Sequence, residues 1–314
     1  MDIFFYDLNF NRIHIMPSSS IDRGYISTNV QIDFSGDGSF EILYYDEELR
    51  SMLKQYPDGL FVFWGKFQGI LTDWQTQRKG RRLFGTHLNG LLHKEVIPTQ
   101  SETMEPVNVT AKRIITNYYP WLTWKEPTGS FSSVTFSTDT YKYGNEVFKE
   151  LCSLGKCGYR IFAENKTLYF ELLPIVKNPL ILSEGNLNAY EFQEDFDNKT
   201  AGYSGWYEKE VEGSNPVWTF IEGEKTGLHS QTVILSARTA EAAAEELKSK
   251  TAKYNIQCKT RNIEYGTDYK LGDNVRITTD GKVSYKLITS VKLWHEGAAY
   301  HEEPVLSNEG DELV

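Results

Sequence analysis

Cysteine is scarce: only Cys152, Cys157 and Cys258 occur in 314 residues. An odd trio cannot build a disulfide framework, and it suits synthesis in a reducing compartment. Cationic charge is also short, with 33 Lys and Arg against 43 Asp and Glu and a net charge of -10. That excludes a chain whose main work is to coat nucleic acid, which needs a clustered cationic surplus. No sequence-specific nucleic-acid binding is expected. No apolar run approaches the roughly 18–20 residues that span a bilayer, so no stable membrane insertion is expected either. The opening MDIFFYDLNFNRI carries acids where a secretory leader carries bases, which points to a cytoplasmic product. Catalytic signatures are missing too: there is no G-x-S-x-G elbow, no G-x-x-x-x-G-K-[ST] loop and no G-x-G-x-x-G turn. Neither a solenoid repeat nor a low-complexity tract interrupts the chain.

Apolar residues are plentiful, at 40% with 14% aromatic, enough for real cores. The length suits two or three domains of roughly 100–200 residues each. The first hundred residues read as short strands. Asp2–Leu8 and Arg12–Met16 flank Asn9-Phe10-Asn11; Val30, Ile32 and Phe34 alternate with polar residues; Phe40, Ile42 and Tyr44 resume after Ser35–Ser39. One helix interrupts, with Asp46 as its cap, Leu49, Met52, Leu53 and Tyr56 on one face and Pro57-Asp58-Gly59 as its stop. Val96–Val107, with two prolines, reads as the first boundary. Beyond it, Asn108 is placed to cap a helix, a second helix starts near Asn145 with Gly155 at its C′ position, and Glu164-Asn165-Lys166 turns a hairpin. The last third returns to strands around a helix expected over 239–254, capped by Thr239, whose small Ala240, Ala243 and Ala244 imply close docking on a sheet. The acidic stretch from Glu302 to Val314 reads as a loose tail.

Several constellations invite a chemical reading, and each has a plainer one. His295-Glu296 and His301-Glu302-Glu303 stand in a hairpin, with the histidines six apart rather than the four that one helical face requires of a zinc pair. His87 and His93 bracket Leu88, Leu91 and Leu92, which suits packing. Cys152 and Cys157 lack redox or zinc spacing, and Cys152 lies on an apolar helical face. Glu194, Asp195 and Asp197 fit a solvated loop better than a glycosidase pair. Trp206, Tyr207, Trp218 and Phe220 form either a sugar-stacking platform or, more simply, core or interface; Trp121 and Trp124 read as packing. The run Arg78-Lys79-Gly80-Arg81-Arg82 reads as a solvated hairpin tip. Catalytic, cofactor-binding and metal-ligating residues are therefore expected to be none, and no cofactor is expected.

A few segments carry a resemblance. Trp64…Phe67-Gln68-Gly69-Ile70 is similar to an F-x-G-I-I segment, and Leu83–Leu92 to a G-x-D-L-x-x-L-L segment with His87 where an acid is common. Near the end, Asp268-Tyr269-Lys270-Leu271-Gly272-Asp273-Asn274-Val275-Arg276-Ile277 is similar to a Y-x-L-G-D-x-V hairpin. On its own terms this corner is structural: Leu271 anchors in a core, Gly272 permits the bend, and Asp273 bonds the amides of the turn. Together these segments resemble the tail-hub, or baseplate hub, proteins of bacteriophages and prophages, over nearly the whole chain.

That resemblance implies a β-rich α+β fold with two small β-barrels and an inserted α+β module. The expected domains are an N-terminal barrel over 1–104, a middle module over 105–178 and a C-terminal barrel over 179–314. It also implies a mechanical, non-catalytic part of the virion tail, made in the bacterial cytoplasm. As a homotrimer the hub would join the six-fold tail tube to a three-fold tip, with a distal tail or tube protein above and a spike or fibre below. The net charge of -10 fits a channel that does not hold passing DNA. The alternatives are a carbohydrate-binding module, motivated by Trp206 and Trp218, and a cell-wall hydrolase.

Overall fold

The computed structural model describes residues 1–18, 25–45, 47–56, 59–77, 80–183, 185–192, 202–209, 216–223, 230–235, 237–249, 256–260, 263–279, 282–296 and 299–307. Strands β1 (Ile3–Tyr6) and β2 (Arg12–Met16) form the opening hairpin. Asp7 closes it, its carboxylate accepting from the amides of Asn9 at 2.9 Å and Asn11 at 2.8 Å, while Phe10 takes a positive φ of 59°. β3 (Tyr25–Asp33) and β4 (Ser39–Tyr44) follow, then α1 (Glu47–Leu53), which buries Leu49 and Leu53. The Asp46 cap and the Pro57-Asp58 stop lie outside the described residues. β5 (Phe61–Trp64), β6 (Phe67–Gln77) and β7 (Gly80–His87) complete the first run, and a 3-10 helix spans Leu88–Lys94.

The stretch expected to hold the first boundary is built into the fold. β8 (Val96–Ile97) and β9 (Gln100–Pro106) lie there, and Ile97 is fully buried. α2 (Val107–Tyr118) begins directly after Pro106, whose fixed φ suits a helix entry. Asn108 is therefore inside the helix and does not cap it; Glu105 instead accepts from Thr110 Oγ1 at 2.9 Å and Arg113 at 2.7 Å. β10 (Thr123–Trp124), β11 (Ser133–Thr138) and β12 (Lys142–Tyr143) lead to α3 (Gly144–Leu154). The left-handed residue after α3 is Lys156, φ 47°, not Gly155. Gly155 is needed for space, because a Cβ there would meet Val107 Cγ2 at 2.3 Å. β13 (Cys157–Glu164) and β14 (Thr167–Pro174) pair across a turn with positive φ at Asn165 and Lys166.

β15 (Val176–Leu182) and β16 (Leu187–Phe192) precede β17 (Gly202–Lys209), β18 (Val217–Ile221), β19 (Ser230–Ile234) and α4 (Ala240–Ser249). β20 (Ile256–Thr260), β21 (Asp273–Thr279), β22 (Lys282–Glu296) and β23 (Ala299–Ser307) end the chain. The supposed tail is thus strand through Ser307. Glu302 is held at the corner before β21, accepting from the Tyr265 amide and from Tyr269 Oη at 2.6 Å.

The chain forms two compact units, Met1–Tyr190 with Gln257–Val314, and Glu191–Ile256. The expected boundaries near 104 and 178 fall inside the first unit. There one core runs from Phe61 and Ile70 through Leu92, Ile114 and Phe148 to Phe170. The fold is β-rich α+β. In the first unit the strand order β23-β22-β3-β4-β7-β6-β5-β1-β2 is a path, with β21 on β22 and β15 on β21. The strands that open the chain and those that end it share one sheet through β22 and β3, and no closed barrel is drawn among the described residues. In the second unit β18-β17-β19 form a sheet, and Tyr207, Leu235 and Ala243 bury its α4 side. As expected, Thr239 Oγ1 caps α4, accepting from Ala242 at 3.2 Å.

Three acceptors hold the outer edge of β13. The amides of Tyr159, Ile161 and Ala163 donate to Phe34 O at 2.9 Å, Asn89 Oδ1 at 2.7 Å and Gln68 Oε1 at 2.7 Å. Asn89, almost fully buried, also donates to Gly36 O at 2.9 Å. Asn89→Ala leaves a buried amide and a part-buried carbonyl without partners, at a cost of about 2–4 kcal/mol. Gln68→Ala, in a wetter setting, costs about 1 kcal/mol. Urea unfolding midpoints of the two variants against the parent check that order.

Candidate functional site

The residues singled out by their chemistry do not converge. His295 pairs with Tyr300 and His301 with Trp294 across β22 and β23, so the two rings face opposite sides of the sheet. His295 is buried edge-on against Tyr25, with centroids 5.2 Å apart. His301 stacks on Trp294 at 5.0 Å. No group of three or more His, Cys, Asp and Glu able to hold a metal occurs among the described residues. His93 stacks on Tyr143 at 4.2 Å, while His87 is buried beside Phe67. The two rings therefore pack against different neighbours.

Cys152 and Cys157 are reduced and buried. Burial, and then the neighbouring Cys157, push the Cys152 thiol well above its ordinary range, the opposite of what a nucleophile needs. Glu194, Asp195 and Asp197 lie outside the described residues, as do Arg78 and Lys79. Arg81 is largely buried and Arg82 pairs with Glu41 at 2.5 Å, so that run is not a solvated tip over its whole length. Trp124 packs on Phe170 at 5.8 Å, whereas Trp121 is partly exposed beside Tyr119.

The Tyr269–Ile277 corner is as the sequence suggests. Gly272 has φ 84°, Leu271 is buried, and Asp273 Oδ2 accepts from Lys270 N at 2.8 Å and Asn178 Nδ2 at 2.6 Å. Its neighbour Glu264 pairs with Lys66 at 2.6 Å, fastening the corner to the turn between β5 and β6.

Two surface features remain. In the second unit, Trp206 opposes Phe220 and Glu208 opposes Trp218, so these four share one face of the sheet, while Tyr207 points to the α4 side. Trp206 is 44% exposed, Trp218 52% and Phe220 37%; Ile234, in register with Trp206, is 74% exposed. In the first unit, a cleft of about 760 Å³ opens between the end of α1, β6 and the 3-10 helix, lined by Leu53, Ile70, Leu71, Trp74, Leu91 and Lys94 among others. No spacing in the sequence announces this cleft, because its walls come from separate segments. Tyr207, grouped with Trp206, Trp218 and Phe220 by sequence, is on the opposite, covered side of the sheet.

No family model matches the chain, and no curated protein does. Solved structures do. A 43 kDa tail protein of prophage MuSo2 from Shewanella oneidensis superposes with a TM-score of 0.61 at 10% identity, covering 98% of each chain. A tail protein from Neisseria meningitidis gives 0.59 at 15% identity over 98% of this chain and 97% of that one. The prophage tail protein gp18 of Listeria monocytogenes gives 0.58 at 13% identity, covering 100% and 96%. The chain has the fold of these tail proteins from end to end.

His87 supplies a pH test of the packing around that fold. Burial lowers its pKa from 6.5 to about 4, with Arg160 adding to the fall. The unfolded chain therefore takes up this proton first, and the stability it carries is complete above about pH 6.5 and is lost as pH falls towards 4. The loss reaches about 3 kcal/mol at full protonation. Urea midpoints should fall between pH 6.5 and 4.5, and less steeply in His87→Gln; equal slopes would count against it.

Proposed function

We propose that this chain is a structural component of a phage tail, a baseplate hub that joins the six-fold tail tube to a three-fold tip, mechanical rather than catalytic. The observation that carries this reading is the end-to-end agreement in fold with three prophage tail proteins, with both partners covered almost completely. The dispersal of the histidines and the raised Cys152 thiol fit a part that bears load and turns over no substrate. In this reading the first strands and the 188–276 region act as two barrel-like halves of a homotrimeric ring, with the middle module over 105–178 facing outward or towards the tip. Its partners are a distal tail or tube protein on one side and a spike or fibre on the other. It is made in the bacterial cytoplasm and works in the virion tail.

Light scattering across a concentration series tests it. A mass of about 108 kDa, three times the 36.1 kDa chain, is the expected result. A strict monomer at every concentration, with no assembly on tube or tip proteins, would overturn the trimeric hub.

A second reading is favoured by one observation, the exposed Trp206, Trp218 and Phe220 on a single face. Aromatic faces of this kind stack on sugar rings, and this reading makes the second unit a carbohydrate-binding module. Titration with soluble cell-wall saccharides decides. Saturable binding that falls about tenfold in Trp218→Ala supports it, and no binding by the folded protein removes it.

A further inference from the structure

We propose that the free edge of β6 from Thr72 to Gln77 is a docking site for an extended segment of another polypeptide, which joins the sheet as an added strand beside the cleft. β5 covers that side of β6 only from Phe67 to Ile70. The Leu71 amide still donates to Leu60 O at 2.8 Å, but Gly59, at φ 105°, turns the preceding chain out of the sheet. Among the described residues no strand pairs with this side of β6 beyond that point. The opposite side is fully occupied, from Asp73 against Phe84 to Gln77 against Gly80 in β7. The result is an open strand edge, the slot, roughly six residues long, about 20 Å.

The slot carries the marks of an edge that stays open in the free chain. Thr72 is a bulge residue, since the ladder passes from Leu71 opposite Gly85 to Asp73 opposite Phe84, and its hydroxyl donates to Phe84 O at 3.3 Å. Asp73 is exposed, and its Oδ1 accepts from the Trp74 amide at 2.7 Å. Bonding alternates along an antiparallel ladder, so this contact marks Trp74, and two residues on Thr76, as amides directed away from β7. Bulges and edge charges are the devices that stop an open strand from pairing indiscriminately. Here a single carboxylate holds one of the donors that an incoming backbone would use.

The occupant follows from what the slot offers. Backbone donors and acceptors at strand spacing match another extended backbone and match neither a sugar nor a helix. A second copy presenting the same edge would bring two Asp73 carboxylates into one short ladder, where like charges repel. Beside the slot, Leu53, Ile70, Leu71 and Leu91 give the cleft an apolar floor for alternate side chains of the added strand, and Lys94 stands among its lining residues. The preferred segment is therefore extended, with apolar residues at every second position. This site does not depend on the tail-hub reading, since it rests on the edge and the cleft alone.

A capped hexapeptide of alternating threonine and valine is the probe, read by amide hydrogen exchange on the full chain. At about 1 mM peptide, exchange over 72–77 should slow about fivefold and stay unchanged in β9 and β11. Asp73→Ala frees the Trp74 donor and should tighten binding about threefold. Thr76→Pro removes an outward amide while leaving the β7 ladder intact, and should weaken binding about tenfold. Should Thr76→Pro fail to fold, Asp73→Ala carries the comparison. Unchanged exchange in the folded parent, or equal binding by parent, Asp73→Ala and any folded Thr76→Pro, overturns the site. Protection over 72–77 that rises with protein concentration without peptide assigns the edge to a second copy and overturns the occupant.

Discussion

The outer edge of β13 is the constraint on which the first unit depends. A strand at the edge of a three-stranded sheet has unpaired amides, and a buried amide without a partner costs about 1–3 kcal/mol. Here every second amide is matched, at Tyr159 by the Phe34 carbonyl, at Ile161 by the Asn89 side chain and at Ala163 by the Gln68 side chain. The three acceptors come from the residue after β3, the 3-10 helix and the start of β6. β13 is therefore held to the first strands by hydrogen bonds to its backbone as well as by apolar contact. Phe34 adds a steric lock. A Cβ at Gly158 would stand 2.4 Å from its ring, and one at Gly272 also 2.4 Å. Two distant stretches of chain thus close on one ring, and both approach it as glycine.

This arrangement explains why local signals described the elements well and their assembly less well. The alternation at Val30, Ile32 and Phe34, the turn at Glu164-Asn165-Lys166, the Thr239 cap and the Gly272-Asp273 corner are each set by neighbours in sequence. Such features could be read from residue order alone. Asn89 and Gln68 could not, because a polar residue in a short strand or 3-10 turn gives no hint that its amide will substitute for a strand 70 to 95 residues away. Pro106 misled for the related reason that a proline ends a strand and starts a helix equally well. The pairing of β22 with β3 had no local signal either.

The surface shows the same division. The sequence groups Trp206, Tyr207, Trp218 and Phe220 as one platform, but the strand register and the docking of α4 put Tyr207 on the covered side and leave the other three exposed. The cleft beside β6 is set by Gly59, a single residue whose positive φ takes the chain away from the sheet. A glycine after a helix reads simply as a stop. What it leaves open is visible only once β5 is seen to end short of β6.

The edges of β13 and β6 are treated in opposite ways, and the contrast bears on what the fold is for. The β13 edge is closed inside the molecule, by the Phe34 carbonyl and the Asn89 and Gln68 side chains. The β6 edge is left in solvent, with a bulge and a carboxylate in place of a partner. Closing it internally would have needed no more than a few further residues of β5, at the cost of about one hydrogen bond's worth of ordering per residue. A chain that spends side-chain amides to finish one edge and a charge to keep another unfinished puts its specificity at its boundaries. The buried histidine and thiol fit the same picture, because they stabilise packing in their uncharged forms and present no reactive group to solvent.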